Sequence, residues 1–251
     1  MTYPYEGQIA ETVTFEGNKG FQVEAYAARP TGPGPFGGVV VIHSMPGWDV
    51  WAKEVVRKLA HRGFNAISHN LFCRFGPGSP DDLAAKARGA GGTPDDEVVA
   101  DTVAAAAWLR ALATSNGKVG VMGFCSGGRQ TYLTACRSPE TWDAAVDCWG
   151  GNVVVDDASQ LTPQRPVAPV DYTAQLKAPL LGIFGNDDKN PSPDNVNRLE
   201  AALKHHGKKY EFHRYDGAGH GFFATNRDNY RVAQANDGWE KVFAFWSRHL
   251  S

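Results

Sequence analysis

No apolar run in this chain of 251 residues approaches the ~20 residues a membrane-spanning helix needs, so a helical membrane protein is excluded. The opening segment MTYPYEGQIAETVTFEG lacks the basic and then apolar pattern of a secretory signal, and a cytoplasmic location is expected. Cysteine is scarce. Cys73, Cys125, Cys136 and Cys148 show no CxxC pairing, which argues against a disulfide framework and against a cysteine-rich metal site. The eight histidines show no HxH or HxxxH spacing, so neither a metal nor another cofactor is expected. An excess of either charge is missing too: 25 Lys+Arg stand against 27 Asp+Glu, a net charge of -2. That leaves no electrostatic footprint for nucleic acid or anionic lipid. There is no internal repeat and no second hydrophobic core, so residues 1–251 are expected to form one domain. What remains is chemistry on a small molecule, in a chain expected to be a monomer with a homodimer as the alternative.

What the sequence does contain is a strict alternation. Two partly alternating segments, IAETVTFEG and FQVEAYAAR, read as an antiparallel strand pair with a turn at residues 16–20. The run GVVVIH then has the β-branched continuity of a strand buried on both faces of a parallel sheet. VWAKEVVRKLAHRG follows with helical apolar spacing and Gly63 as its terminating glycine. Strand and helix patterns continue to alternate to the last helix, NYRVAQANDGWEKVFAFWSRHL. The expected fold is α/β: a mostly parallel central sheet, an N-terminal antiparallel pair, and helices on both faces. Two Gly/Pro-rich excursions, CRFGPGSPDDLAAKARGAGGTPDD and NVVVDDASQLTPQRPVAPVDYTAQL, interrupt the alternation and read as long loops. Such loops fall at the carboxyl ends of the strands, where open α/β sheets bind ligands.

The segment VGVMGFCSGGRQ sets Cys125 between a buried strand and a helix, with Gly123 and Gly127 two residues to either side. A sharp strand-to-helix turn needs glycine where a Cβ would strike neighbouring backbone, and it lifts the central side chain above the sheet. The following helix turns its positive end toward the sulfur, which favours thiolate. The competing reading is a buried apolar cysteine. Ser126 is not a candidate nucleophile, because Phe124 would then occupy a glycine position. Two later loops decide between these readings. NDDKNPSP places Asp187 and Asp188 after a strand, and AGHGFF places His220 after the next one. Nucleophile, acid and base therefore arrive at one sheet edge in the chain order of an α/β-hydrolase triad.

The set GFCSGG, GNDDKNPSP and DGAGHGF, with VVVIHSMPGWD upstream, resembles the dienelactone hydrolase family of α/β-hydrolases from the first buried strand to the last helix. The resemblance implies that fold, ester or lactone hydrolysis without a cofactor, and a Cys-Asp-His triad. Matched by motif, the triad falls on Cys125, Asp187 and His220, and the backbone oxyanion donors on Met45 and Ser126. One departure stands out. Family members with dienelactone activity carry a glutamate just after the first parallel strand, and this chain has Ser44 there. The family also holds a substrate carboxylate with an arginine from the loop after the second parallel strand, where Arg74, Lys86 and Arg88 lie without clean alignment.

Around the motifs, Ser44, Trp48, Arg74, Arg88, Trp149 and Phe222 are the candidate substrate-binding residues, with Phe223 nearby. Core packing is the alternative for the aromatic residues, and solvated loop charge for the arginines. Cys73, Cys136 and Cys148 read as apolar filler. The expected enzyme is a cysteine hydrolase passing through an acyl-thioester. Its rivals are a general carboxylesterase or thioesterase, suggested by the missing glutamate, and a non-catalytic binding protein on the same scaffold.

Overall fold

The computed structural model describes residues 7–251. The signal-sequence reading falls partly on residues 1–6, which lie outside the described residues. Strands β1 (Gln8–Glu16) and β2 (Gln22–Pro30) pair antiparallel, with Gln8 opposite Pro30 and Glu16 opposite Gln22. β3 (Phe36–Ile42) is buried at every position, as its unbroken apolar run dictates. The rest follows as α1 (Val50–His61), β4 (Asn65–His69), α2 (Pro80–Gly89), α3 (Asp95–Arg110), β5 (Ser115–Phe124) and α4 (Ser126–Arg137). Then come β6 (Ala144–Cys148), β7 (Leu180–Gly185), α5 (Pro193–His205), β8 (Tyr210–Tyr215) and α6 (Val232–Leu250).

These strands form one eight-stranded sheet in the order β1-β2-β4-β3-β5-β6-β7-β8. β2 joins β4 antiparallel, and every pairing from β4 to β8 is parallel. The carboxyl ends of β3, β5, β6, β7 and β8 therefore open on one edge. Helices cover both faces, and two adjacent glycines of β3 show why. A Cβ on Gly37 would sit 2.4 Å from the Leu250 carbonyl of α6, whereas one on Gly38 would sit 3.2 Å from Leu109 of α3. Successive strand residues point to opposite faces, so α6 and α3 lie on opposite sides. Helix α1 lies beside α6, with Lys58 over the Trp239 ring at 4.9 Å, and begins at Asp49, whose side chain accepts from the Ala52 N–H at 2.9 Å. It ends as expected before Gly63, at φ 92°.

One expected loop contains a helix. Within the first Gly/Pro-rich excursion, Ser79 caps α2 by accepting from the Asp82 N–H, and Pro80 opens it. Only Leu83, Ala84 and Ala87 are buried, an apolar face too short to rise above the glycine-rich flanks in the sequence. The second excursion stays irregular apart from short 3-10 turns at Ala158–Gln160 and Pro169–Gln175. Among the described residues no helix is long and apolar enough to cross a membrane.

Candidate active site

Cys125 stands between the last residue of β5 and the first of α4 at φ 58° and ψ -120°, a conformation that L-residues rarely hold. Both flanking glycines are sterically required. A Cβ on Gly123 would lie 2.2 Å from the Gly127 carbonyl oxygen, and one on Gly127 would lie 2.2 Å from that of Ile42. The elbow is thus pressed against the exit of β3, which brings the loop of Ser44 and Met45 beside it. Cys125 is also tied to β6 through its N–H, which donates to the Cys148 carbonyl at 3.1 Å.

The acid and base loops are folded onto each other. The Asp187 N–H donates to the Ala218 carbonyl at 3.0 Å, and Gly185 leaves no room for a Cβ, which would sit 2.2 Å from that same carbonyl oxygen. His220 Nδ1 lies 2.8 Å from Asp188 Oδ2. The Asp188 side chain is 3% exposed and the His220 ring 38%. The second Asp188 oxygen accepts from the Asn190 N–H at 2.9 Å. This corrects the acid expected from the motif: Asp188, not Asp187, meets the histidine. The chain turns immediately after β7, with the Asp188 N–H donating to the Gly185 carbonyl at 3.3 Å. That turn points Asp187 to solvent and Asp188 inward.

Burial works to lower the pKa of His220. The hydrogen bonds to Asp188 and Cys125, together with the charges of both, outweigh it and push the value up to about 10. The site thus favours the protonated ring, with Asp188 accepting at Nδ1.

Two cavities meet at Cys125 and His220. One, of about 220 Å³, is walled by Trp51, Phe124 and Trp149 and also touches Ser44, Pro46 and Ala224. The other, of about 410 Å³, is lined by Met45, Ser126, Arg129, Arg165, Asp188 and Lys189 among others. The two candidate oxyanion residues, Met45 and Ser126, thus share a cavity with the sulfur. Ser44 and Trp149 line the apolar one, and Trp149 also packs into the core, 5.0 Å from Phe222 and 5.6 Å from Phe124 between ring centroids.

The other expected substrate contacts lie elsewhere. Phe222 is fully buried behind Trp149 and Phe223, so packing accounts for it. Trp48 donates to the Ser68 carbonyl at 2.9 Å, carries Lys53 over its ring, and faces a separate cavity of about 440 Å³ that touches none of Cys125, Asp188 or His220. Arg74 is committed to buried Asp101, with Nη2 3.0 Å from Oδ1, and its charge is spent there. Arg88 is exposed and reaches a cavity of about 260 Å³ that shares Met45, Arg129, Asn152 and Arg165 with the 410 Å³ one. Arg129 and Arg165, which sequence reasoning passed over, are the guanidinium groups that line the 410 Å³ cavity. Arg129 sits in the GFCSGGR segment itself, one turn past the nucleophile candidate. Nothing local singles out Arg165 in its irregular loop. Among the described residues no group of three or more His, Cys, Asp or Glu side chains is placed to hold a metal ion.

A mostly parallel sheet with an antiparallel N-terminal pair, a strained elbow after β5, and acid and histidine loops after β7 and β8 define an α/β-hydrolase. The chain belongs to the dienelactone hydrolase family, whose model matches residues 23–250. It is 34% identical over 229 residues to a protein of Methylorubrum extorquens assigned as a carboxymethylenebutenolidase, covering 88% of this chain and 75% of the relative. It is likewise 34% identical over 241 residues to a protein of Bradyrhizobium assigned as a 2-oxo-3-(5-oxofuran-2-ylidene)propanoate lactonase, covering 93% and 92%. A crystal structure assigned as a dienelactone hydrolase from Klebsiella pneumoniae superposes with a TM-score of 0.87 at 30% identity, over 96% of this chain and 99% of that one. The chain is accordingly a hydrolase of this family.

Proposed function

We propose that the protein hydrolyses a carboxylic ester or lactone through Cys125, with His220 as acid and base, Asp188 as its orienting carboxylate, and the N–H groups of Met45 and Ser126 as oxyanion donors. One observation carries the reading: a strained cysteine at a helix start shares two cavities with a histidine whose far nitrogen is held by a buried carboxylate. The names of the relatives, a carboxymethylenebutenolidase and a furanone lactonase, support the substrate class.

The electrostatics suggest a division of labour. His220 takes the proton of Cys125, and the thiolate so formed attacks the carbonyl carbon. As the tetrahedral intermediate collapses, the proton on His220 passes to the leaving alkoxide and a neutral imidazole remains. Acylation removes the charge and the hydrogen bond of Cys125, two of the causes that hold the proton on the ring. Only Asp188 then favours protonation, and the imidazole can accept a proton from the water that attacks the thioester. Release of the acid returns the sulfur as thiolate and the ring as imidazolium. Ser44 offers no carboxylate beside the sulfur, so activation falls to His220. Four free cysteines fit a reducing, cytoplasmic setting.

Cys125→Ala is expected to lower turnover of para-nitrophenyl acetate and of a simple enol lactone by about 10⁴-fold or more, read as kcat by steady-state spectrophotometry. Substantial activity in that variant would remove Cys125 from the chemistry.

A further inference from the structure

The 410 Å³ cavity contains a guanidinium, that of Arg165, two of whose nitrogens have no hydrogen-bond partner among the described residues. Arg129 is satisfied, because its two Nη groups lie 2.7 and 3.0 Å from the two oxygens of buried Asp95. Lys189 is exposed, and the carboxylate of Asp188 is engaged by His220. Arg165 differs from all three. Its Nε and Nη2 are buried and have no hydrogen-bond partner among the described residues. Burial and then the neighbouring Arg129 lower its pKa from the usual arginine value, and the charges of Asp95 and Cys125 offset them only in part. A guanidinium so placed gives up water at two nitrogens without a hydrogen bond in return, a cost proteins seldom bear without a use.

The side chain is held there by a built support. The turn and bridge at Thr162 and Arg165 are closed by the Arg165 N–H donating to the Thr162 carbonyl at 2.9 Å. That turn is pinned to the loop before α3 by the Thr162 hydroxyl on the Gly91 carbonyl and by the Asp95 N–H on the Gln164 carbonyl, each at 2.9 Å. The guanidinium lies against Gly92, where a Cβ would fall 2.5 Å from Nε. Gly92 also has φ 103°, so both space and backbone keep that position a glycine. The backbone that carries the group is thus fixed, and the side chain lines both the cavity of Cys125 and the adjoining 260 Å³ one.

We infer that Arg165 is a specificity-determining residue: it receives a carboxylate of the substrate while the scissile carbonyl lies at Cys125. The resemblance assigns carboxylate binding to the loop after the second parallel strand; here the cation comes from the loop after β6. Among the described residues, the other cavity, walled by Trp51, Phe124 and Trp149, has no comparable cation: Arg227, on its rim, lies 3.8 Å from Asp49. The preferred substrate is then an ester or lactone with a carboxylate on the Arg165 side and an apolar group on the tryptophan side.

This inference rests on Cys125 as the reacting atom, so its test reads the thiol without requiring turnover. Iodoacetate and iodoacetamide differ in charge and alkylate the same sulfur. The ratio of their rates at Cys125, measured by peptide mass spectrometry, should fall about tenfold or more in Arg165→Gln, the worth of one charge-assisted contact. Arg165→Lys should fall less. On the wild-type protein, benzoate should protect Cys125 from iodoacetamide and benzamide should not, a comparison that needs no variant to fold. An unchanged ratio in Arg165→Gln, or equal effects of benzoate and benzamide, would overturn the inference. Hydrolysis of para-nitrophenyl acetate and of mono-para-nitrophenyl glutarate separates the two claims. If neither ester is turned over while the alkylation ratio depends on Arg165, the hydrolase reading fails and the anion site stands. If both are hydrolysed with the same preference in wild type and Arg165→Gln, the hydrolase reading stands and the anion site fails.

Discussion

The two halves of the proposed catalytic machinery are built from different materials. The nucleophile half is backbone against backbone: Gly123 and Gly127 each exclude a Cβ that would come within 2.2 Å of a carbonyl oxygen, and Cys125 is fixed at positive φ. The acid–base half is side chain against loop, with the 2.8 Å contact of His220 with Asp188 at its centre. Asn229 adds a bond to the His220 carbonyl, and Asn190 and Asn152 pair across the loops after β7 and β6. Steric exclusion leaves the first half no alternative geometry, whereas hydrogen bonds in the second can be exchanged one at a time. Changes in the elbow should therefore be felt in stability, and changes in the loops in rate.

The largest contrast is expected from Asp188→Asn, which should lower kcat on an activated ester by ~10³-fold, about 4 kcal/mol of barrier. Its Tm should fall less than that of the glycine variant described next. A loss no greater than that of Asp187→Asn would break the comparison. Gly127→Ala should act in the opposite sense. It forces a backbone shift costing about 2–3 kcal/mol, which calorimetry should report as a Tm lowered by roughly 5–10 °C.

The pH profile sharpens the same division. The pKa of His220 is raised to about 10, above its ordinary 6.5, so the pair's contribution to stability is complete below about 6.5 and lost as pH rises through about 10. The kcat/KM profile of the wild type should then show its alkaline limb near pH 10, and Asp188→Asn should move that limb to lower pH. The smallest effect belongs to Asp187→Asn, expected to stay within about threefold of wild type because its side chain points to solvent.

The sequence made the elbow legible for the reason the structure makes it rigid: glycines forced by contact leave a fixed spacing, and Gly123-Phe124-Cys125-Ser126-Gly127 could be read directly. The alternation of elements and the order Cys, Asp, His were legible on the same footing. The acid was not, because Asp187 and Asp188 differ only in how one turn after Gly185 directs them. Trp48, Arg74 and Phe222 stand close to the motifs in sequence but belong to other cavities, a buried ion pair and the core. Adjacency along the chain decided nothing about the direction of their side chains. Arg165 was invisible for the converse reason: it lies in a loop without periodicity and shares a cavity with Cys125 through a fold in which hydrogen bonds hold that loop beside the start of α3.

The most direct measurement is the intact mass and peptide map of the protein quenched in acid during turnover of a slowly deacylated ester. The account predicts one added acyl group on Cys125 in the wild type, accumulating further in Asp188→Asn and absent in Cys125→Ala. An acyl group on any other residue, or turnover with no adduct in any of the three proteins, would contradict it.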